Sequence, residues 1–203
     1  MAAILSLPFF YFDTVVDIQE IDILKNKFAW INDNIISFTY EYSCHVTFKD
    51  SKFLFIDPPT VFFWGNVLDA PDILSNDLRI LDAFDKRIIF FPLNNNADTE
   101  RIGGTHWSLL VYTEKTQSFT FYDSLTSSGM SKDAIKLAQA IAKALEVPLQ
   151  FSEEYCPQQH NAIDCGLFLI CVTEFLCKKY LGATEDIDTI PHFVKAKRQQ
   201  ILV

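Results

Sequence analysis

Residues 105–123 constrain the fold most. They read THWSLLVY, then TEKTQ, then SFTFYD. Two runs rich in aromatic and β-branched residues flank a polar connection of hairpin length, so the spacing predicts an antiparallel hairpin. Upstream, RIIFFPL (87–93) is a short apolar run bounded by turn residues and reads as a buried strand beside it. Between them, NNNADTERIGG (94–104) is polar and ends on paired glycines, the composition of a mobile surface loop.

Helical signals surround this block. Residues 131–146 carry Ile135, Leu137, Ala138, Ile141, Ala142 and Leu145 on one stripe. Pro148 and a short LQF strand follow, then a helix over about 166–181 and a last helix after Pro191. Toward the N-terminus, 4–12 reads as a strand and 20–27 as a short helix or turn. Residues 30–43 read as a helix capped by Asn32 or Asp33. Pro58-Pro59 breaks the next segment, with short helical pieces over 60–68 and 71–84. Helices, hairpin, helix, strand and helix in that order predict an α+β protein rather than a doubly wound parallel sheet. No glycine-rich phosphate loop supports a nucleotide cofactor.

The 203 residues contain no Gly/Ser/Pro-rich linker and no repeat, so one domain over 1–203 is expected. The formal net charge of −9 disfavours nucleic acid and anionic membranes as partners and favours a basic peptide tail. Five cysteines, an odd number without framework spacing, point to a reducing compartment, the cytoplasm or nucleus. MAAILSLPFFYFD has no basic residue before its apolar stretch, so a buried strand is preferred to a secretory leader. No run reaches the length of a membrane span.

The stretch PQQHNAIDCG (157–166) places a thiol where a polar, amide-rich loop gives way to a hydrophobic helix. Cys165 there can be a core cysteine, a metal ligand or a nucleophile. The unpaired amides and dipole of a helix N-terminus favour a thiolate. Cys171 and Cys177 continue the apolar pattern and are assigned to packing. A nucleophilic thiol needs a base, and the base an orienting acid. Of four histidines, His106 begins a strand and Asp123 ends its hairpin partner, which puts the two near opposite positions on strands roughly 5 Å apart. The alternative is a surface histidine and a turn aspartate. Gln159, in the amide-rich loop, can add its NH2 to the Cys165 N–H as an oxyanion donor, or be an ordinary loop residue. Cys156, His160 and Cys165 do not have a usual zinc spacing, so no metal site is expected.

Taken together, GGTHWSLLVY, FYDS, QQHNAIDCG and the earlier WINDNII resemble the Ulp/sentrin-specific cysteine proteases, which process ubiquitin-like modifiers. The resemblance runs from about residue 15 to residue 180 and is nearest the deneddylase branch, which acts on the Nedd/Rub modifier. It implies a papain-like fold of the Ulp/adenain type, a mixed sheet flanked by helices, and a monomeric enzyme without cofactor. It implies His106 as base, Asp123 as its acid, Cys165 as nucleophile and Gln159 in the oxyanion hole. Trp30 and Trp107, otherwise core candidates, would cover a channel for the modifier's Gly-Gly tail, since residues lacking side chains pass under flat indoles. Loop 94–104, with Gly103 and Gly104, would act as a lid. Asp33 would contact a basic residue of the tail, although a helix cap explains it equally well. Ile31 replaces the leucine usual in the family. Open alternatives are a SUMO-directed protease, a modifier-binding module without turnover, and an acetyltransferase sharing the fold.

Overall fold

A computed structural model describes residues 8–96 and 103–202. The chain begins with a small antiparallel pair, β1 (Phe9–Tyr11) and β2 (Thr14–Val16). Two helices follow, α1 (Ile18–Lys25) and α2 (Asp33–Tyr42). Next come β3 (Phe53–Phe55), α3 (Pro58–Asn66), α4 (Pro71–Ile80) and β4 (Ile88–Asn94). The expected hairpin is β5 (Trp107–Thr113) with β6 (Ser118–Tyr122). Then α5 (Ser131–Ala144), β7 (Phe151–Glu153), α6 (Cys165–Tyr180) and α7 (Ile190–Ile201) complete the fold.

Strands β3 to β7 form one sheet in chain order. The outer pairs β3–β4 and β6–β7 are parallel, and the inner pairs β4–β5 and β5–β6 are antiparallel. The sheet is therefore mixed, and helices cover both faces. Ile88, Phe90, Trp107, Leu109 and Val111 face a core shared with α2 and α6. The alternate residues Ile89, Phe91, Leu93, Leu110 and Tyr112 face a second core with α3, α4 and α5. Burial on both faces explains why β4 and β5 read as continuous apolar runs rather than alternating ones.

Pro92 inside β4 is tolerated for a positional reason. Ile88 and Phe90 turn their backbone groups toward β3, through Ile88 N–H to Lys52 O and Ile56 N–H to Phe90 O. Pro92 shares that side but lies past the last paired residue, Phe90, so its missing N–H removes no ladder bond.

Several sequence expectations shift. The strand read over 4–12 is limited to Phe9–Tyr11 among the described residues, with 1–7 outside them. Strands β2 and β3 were not anticipated; three residues each are too few for a period to register. The strand read at LQF lies two residues later, over Phe151–Glu153, where it pairs in parallel with β6. Pro58 and Pro59 open α3 rather than merely breaking the chain, because the first turn of a helix has N–H groups to spare.

Candidate active site

Three segments distant in sequence converge where β5, β6 and α6 meet. His106 immediately precedes β5, Asp123 immediately follows β6, and Cys165 is the first residue of α6. The register pairs Leu109 with Tyr122, so Asp123 heads toward Ser108 rather than His106. Histidine and aspartate, expected near opposite positions, therefore meet diagonally just beyond the ladder, offset by two residues. They still meet: His106 Nε2 lies 2.7 Å from Asp123 Oδ1.

Both side chains are almost fully shielded, 5% and 8% exposed. Burial by itself pushes the His106 imidazole toward its neutral form. The hydrogen bond and charge of Asp123, with a further pull from the nearby Cys165 side chain, outweigh it and raise the pKa from 6.5 to about 9. Asp123 occupies Nε2, which leaves Nδ1 for the sulfur.

Asp123 is itself held. Its Oδ1 accepts from the Leu125 N–H at 2.8 Å, and its Oδ2 accepts from the Ser128 hydroxyl. Gln158 ties this loop to the cysteine loop, donating from Nε2 to Asp123 O and Cys156 O and accepting at Oε1 from the Thr126 N–H. Gln159 is buried next to it. Its Oε1 accepts from the Ser124 hydroxyl at 2.8 Å, and its Nε2 donates to Asn161 O at 2.6 Å.

Cys165 lines a cleft of about 440 Å³ together with Trp30, Asp33, Gly103, Gly104 and Trp107. The two tryptophans differ. Trp107 is 9% exposed and donates from Nε1 to Ile31 O, whereas Trp30 is 47% exposed and donates to Ala162 O on the cysteine loop. Trp107 is thus both core and wall, and Trp30 is a half-open flap strapped across the site. The cap of α2 is Asn32, whose Oδ1 accepts from the Ile35 N–H; Asp33 is left facing the cleft. Gly104 has φ +92° and lies so close to Asn94 that a Cβ would fall 1.8 Å from Asn94 Oδ1. Most of the loop expected to act as a lid, 97–102, lies outside the described residues.

Three other cysteines are buried in the core. Burial pushes Cys156 and Cys171 up to about 12, and Cys177 higher still. They remain thiols at neutral pH. His160 is exposed and His45 stacks on Phe12. Among the described residues, no group of His, Cys, Asp and Glu has the arrangement of a metal site.

The family described as "Ulp1 protease family, C-terminal catalytic domain" matches residues 29–194. The chain belongs to the Ulp1 protease family. Its relatives include Sentrin-specific protease 8 of Homo sapiens, 34% identical over 194 residues, spanning 93% of this chain and 91% of that one. NEDD8-specific protease 1 of Arabidopsis thaliana is 29% identical over 207 residues, spanning 95% and 89%. Among solved structures, the C-terminal Ulp1 protease domain in complex with Smt3, the yeast ortholog of SUMO, superposes with a TM-score of 0.70. It is 19% identical and covers 96% of this chain and 86% of that one. This likeness shows the fold, which is the α+β fold expected from the sequence.

The Ulp1-family chain also uses residues that sequence reasoning missed. Ser124, Ser128 and Gln158 carry no signal alone, though Ser124 and Gln158 lie in the FYDS and QQ stretches. Glu20 is buried and accepts from Asn32, Asn34 and the Asp17 N–H, bracing the segment that presents Trp30 and Asp33. Arg198 on α7 donates to the carbonyls of Ile23 and Ala29 and lies 4.0 Å from Asp164, linking the Trp30 segment to the cysteine loop. Only the tertiary fold brings Glu20 and Arg198 to the site.

Proposed function

We propose that this Ulp1-family cysteine protease hydrolyses the peptide or isopeptide bond after the C-terminal Gly-Gly of a NEDD8-type modifier. Residues 1–203 act as one monomeric catalytic unit. The observation that carries the chemistry is a buried His106 bonded to Asp123 at 2.7 Å and close enough to Cys165 to feel its side chain, with Cys165 lining a cleft that Trp30 and Trp107 also line. The choice of modifier rests on the relatives named for NEDD8 and on the 34% identity to Sentrin-specific protease 8.

The raised His106 pKa makes the imidazole a strong acceptor for the thiol proton. The sulfur attacks the glycine carbonyl, and the Cys165 N–H with the Gln159 side chain stabilises the oxyanion. As the C–N bond breaks, the imidazolium protonates the leaving amine and a thioester remains. Water then attacks that thioester, giving a proton to His106, and the sulfur departs with the modifier's carboxylate released. Asp123 keeps the ring oriented and its positive charge compensated throughout. Asp33, at the cleft wall, meets a basic residue of the incoming tail. Trp30 and Trp107 admit only residues without side chains, and Gly103 and Gly104 line the same passage.

All five cysteines are free, which supports a reducing compartment such as cytoplasm or nucleus. Among the described residues, no helix is long and apolar enough to cross a membrane.

The test is a panel of NEDD8, SUMO and ubiquitin carrying a C-terminal electrophile or a fluorogenic amide. The expected result is covalent labelling and turnover with NEDD8 ahead of the others, lost in Cys165→Ala. Faster turnover of SUMO would overturn the choice of modifier. Unchanged labelling in Cys165→Ala would overturn the assignment of the nucleophile.

A further inference from the structure

The Gln159 carboxamide can serve an oxyanion only if its NH2, not its oxygen, faces the reacting carbonyl. A terminal amide rotates between two orientations of nearly equal shape, so something must choose. We propose that Ser124 is a positioning residue that, with the Asn161 carbonyl, locks the Gln159 amide with its N–H groups toward the cysteine. This inference rests on the oxyanion role given to Gln159 above.

Four observations carry it. The Asn161 carbonyl is only an acceptor and lies 2.6 Å from Nε2, so that atom must be nitrogen. One Nε2 proton is used there, which leaves the second as the one that would serve the oxyanion. The Ser124 hydroxyl donates to Oε1 at 2.8 Å and holds the opposite end of the amide. The Ser124 carbonyl also accepts from the Gln159 N–H at 2.8 Å, so backbone and side chain are gripped by one residue. Ser124 and Gln159 are 3% and 8% exposed, so water cannot easily replace either bond.

Asn161 is fixed in turn. Its Oδ1 accepts from the Ile163 and Asp164 N–H groups, and its Nδ2 donates to Asp164 Oδ2 at 2.7 Å. The amide-rich character of QQHN thus has a physical reason. Gln158 ties the loop to Asp123, Gln159 is gripped by Ser124, and Asn161 shapes the turn whose carbonyl orients Gln159.

Removing the hydroxyl leaves Oε1 buried without a donor. The amide then samples orientations that do not serve the oxyanion, while the Asn161 carbonyl still favours the productive one. The loss should be smaller than the 10²–10³-fold typical of deleting an oxyanion donor, about tenfold.

The experiment measures wild type, Ser124→Ala, Ser124→Thr, Gln159→Ala and the Ser124→Ala/Gln159→Ala double variant. Three readouts apply: burst acylation of Cys165 by p-nitrophenyl acetate, hydrolysis of a NEDD8 fluorogenic amide, and alkylation by iodoacetamide, which forms no oxyanion. Ser124→Ala should slow acylation and kcat about tenfold with KM and alkylation within twofold, and Ser124→Thr should restore the rate. In the Gln159→Ala background the serine change should add less than twofold. Full additivity, unchanged acylation in Ser124→Ala, or a parallel fall in alkylation would each overturn the proposal. If wild type is acylated by the ester with the expected pattern yet cleaves no modifier, the NEDD8 reading fails and this one stands. If the wild-type thiol is not acylated at all, both fail.

Discussion

Replacing Gly166 with alanine separates folding from catalysis. Gly166 is the second residue of α6, directly after Cys165, and its backbone is regular helix. Space, not conformation, demands glycine there. A Cβ would lie 2.8 Å from Ile31 Cβ, 3.2 Å from Ile31 Cγ2 and 3.4 Å from Trp107 Cδ1. Ordinary contact begins near 3.4 Å, so α6 or Ile31 must yield by roughly 0.6 Å. Overpacking of this kind costs about 1–3 kcal/mol, while alanine in a helix gains about 1 kcal/mol over glycine. The net loss is therefore about 0–2 kcal/mol, a Tm drop of no more than about 8 °C for a chain of this size. Catalysis is less forgiving. The displaced elements carry Cys165 and the Trp107 Nε1–Ile31 O bond that closes the cleft wall. A 1 Å misplacement typically costs about 10²-fold, so this one should cost at least about tenfold. Thermal denaturation and kcat/KM on a NEDD8 fluorogenic amide, measured on one preparation, test the split. A Gly166→Ala protein with kcat/KM within twofold of wild type would refute the argument that the contact positions the thiol.

Other outcomes follow from the same geometry. Asp123→Asn removes the charge that overcomes burial at His106, so the imidazole pKa should fall well below 9 and kcat by at least about 10²-fold, read from pH profiles of turnover and alkylation. Burial alone would raise the Glu20 carboxyl, but hydrogen bonds from the Asp17 N–H, Asn32 and Asn34 hold it below its ordinary value. Its contribution to stability is therefore present above the unfolded pKa and lost as pH falls through the lower folded one. Glu20→Gln should lower stability at neutral pH by about 1–2 kcal/mol, read as a fall in Tm, and flatten the acid limb of a Tm–pH curve. A Glu20→Gln curve parallel to wild type would contradict this. Cys165→Ala should abolish turnover but leave modifier binding within a few-fold by titration calorimetry, whereas conservative changes at Cys171 and Cys177 should leave turnover intact. A lost fold in Cys165→Ala would return that cysteine to a structural role.

The amino-acid sequence determined this protein's local elements and the residue types at its site. Chain-local periodicity was enough for the β5–β6 hairpin, for α5 and α6, and for placing Cys165 at a helix start. It was enough also to name His106 and Asp123 as neighbours, since a hairpin converts sequence distance into spatial distance. It missed β2 and β3, whose three residues leave no period to read. It placed Asp123 near the position opposite His106, and the register makes the two diagonal neighbours. What only the tertiary structure decided is how α6 packs on β5 to bring the thiol beside that pair, and how Trp30 and Trp107 come to be anchored on carbonyls far away in the chain. It also decided the grip of Ser124 on Gln159 and of Glu20 on the Asn32 segment. The physical reason is common to all of these. A hydrogen bond between residues far apart in the chain leaves no periodic trace, because its partners become neighbours only after two cores have packed against opposite faces of one sheet.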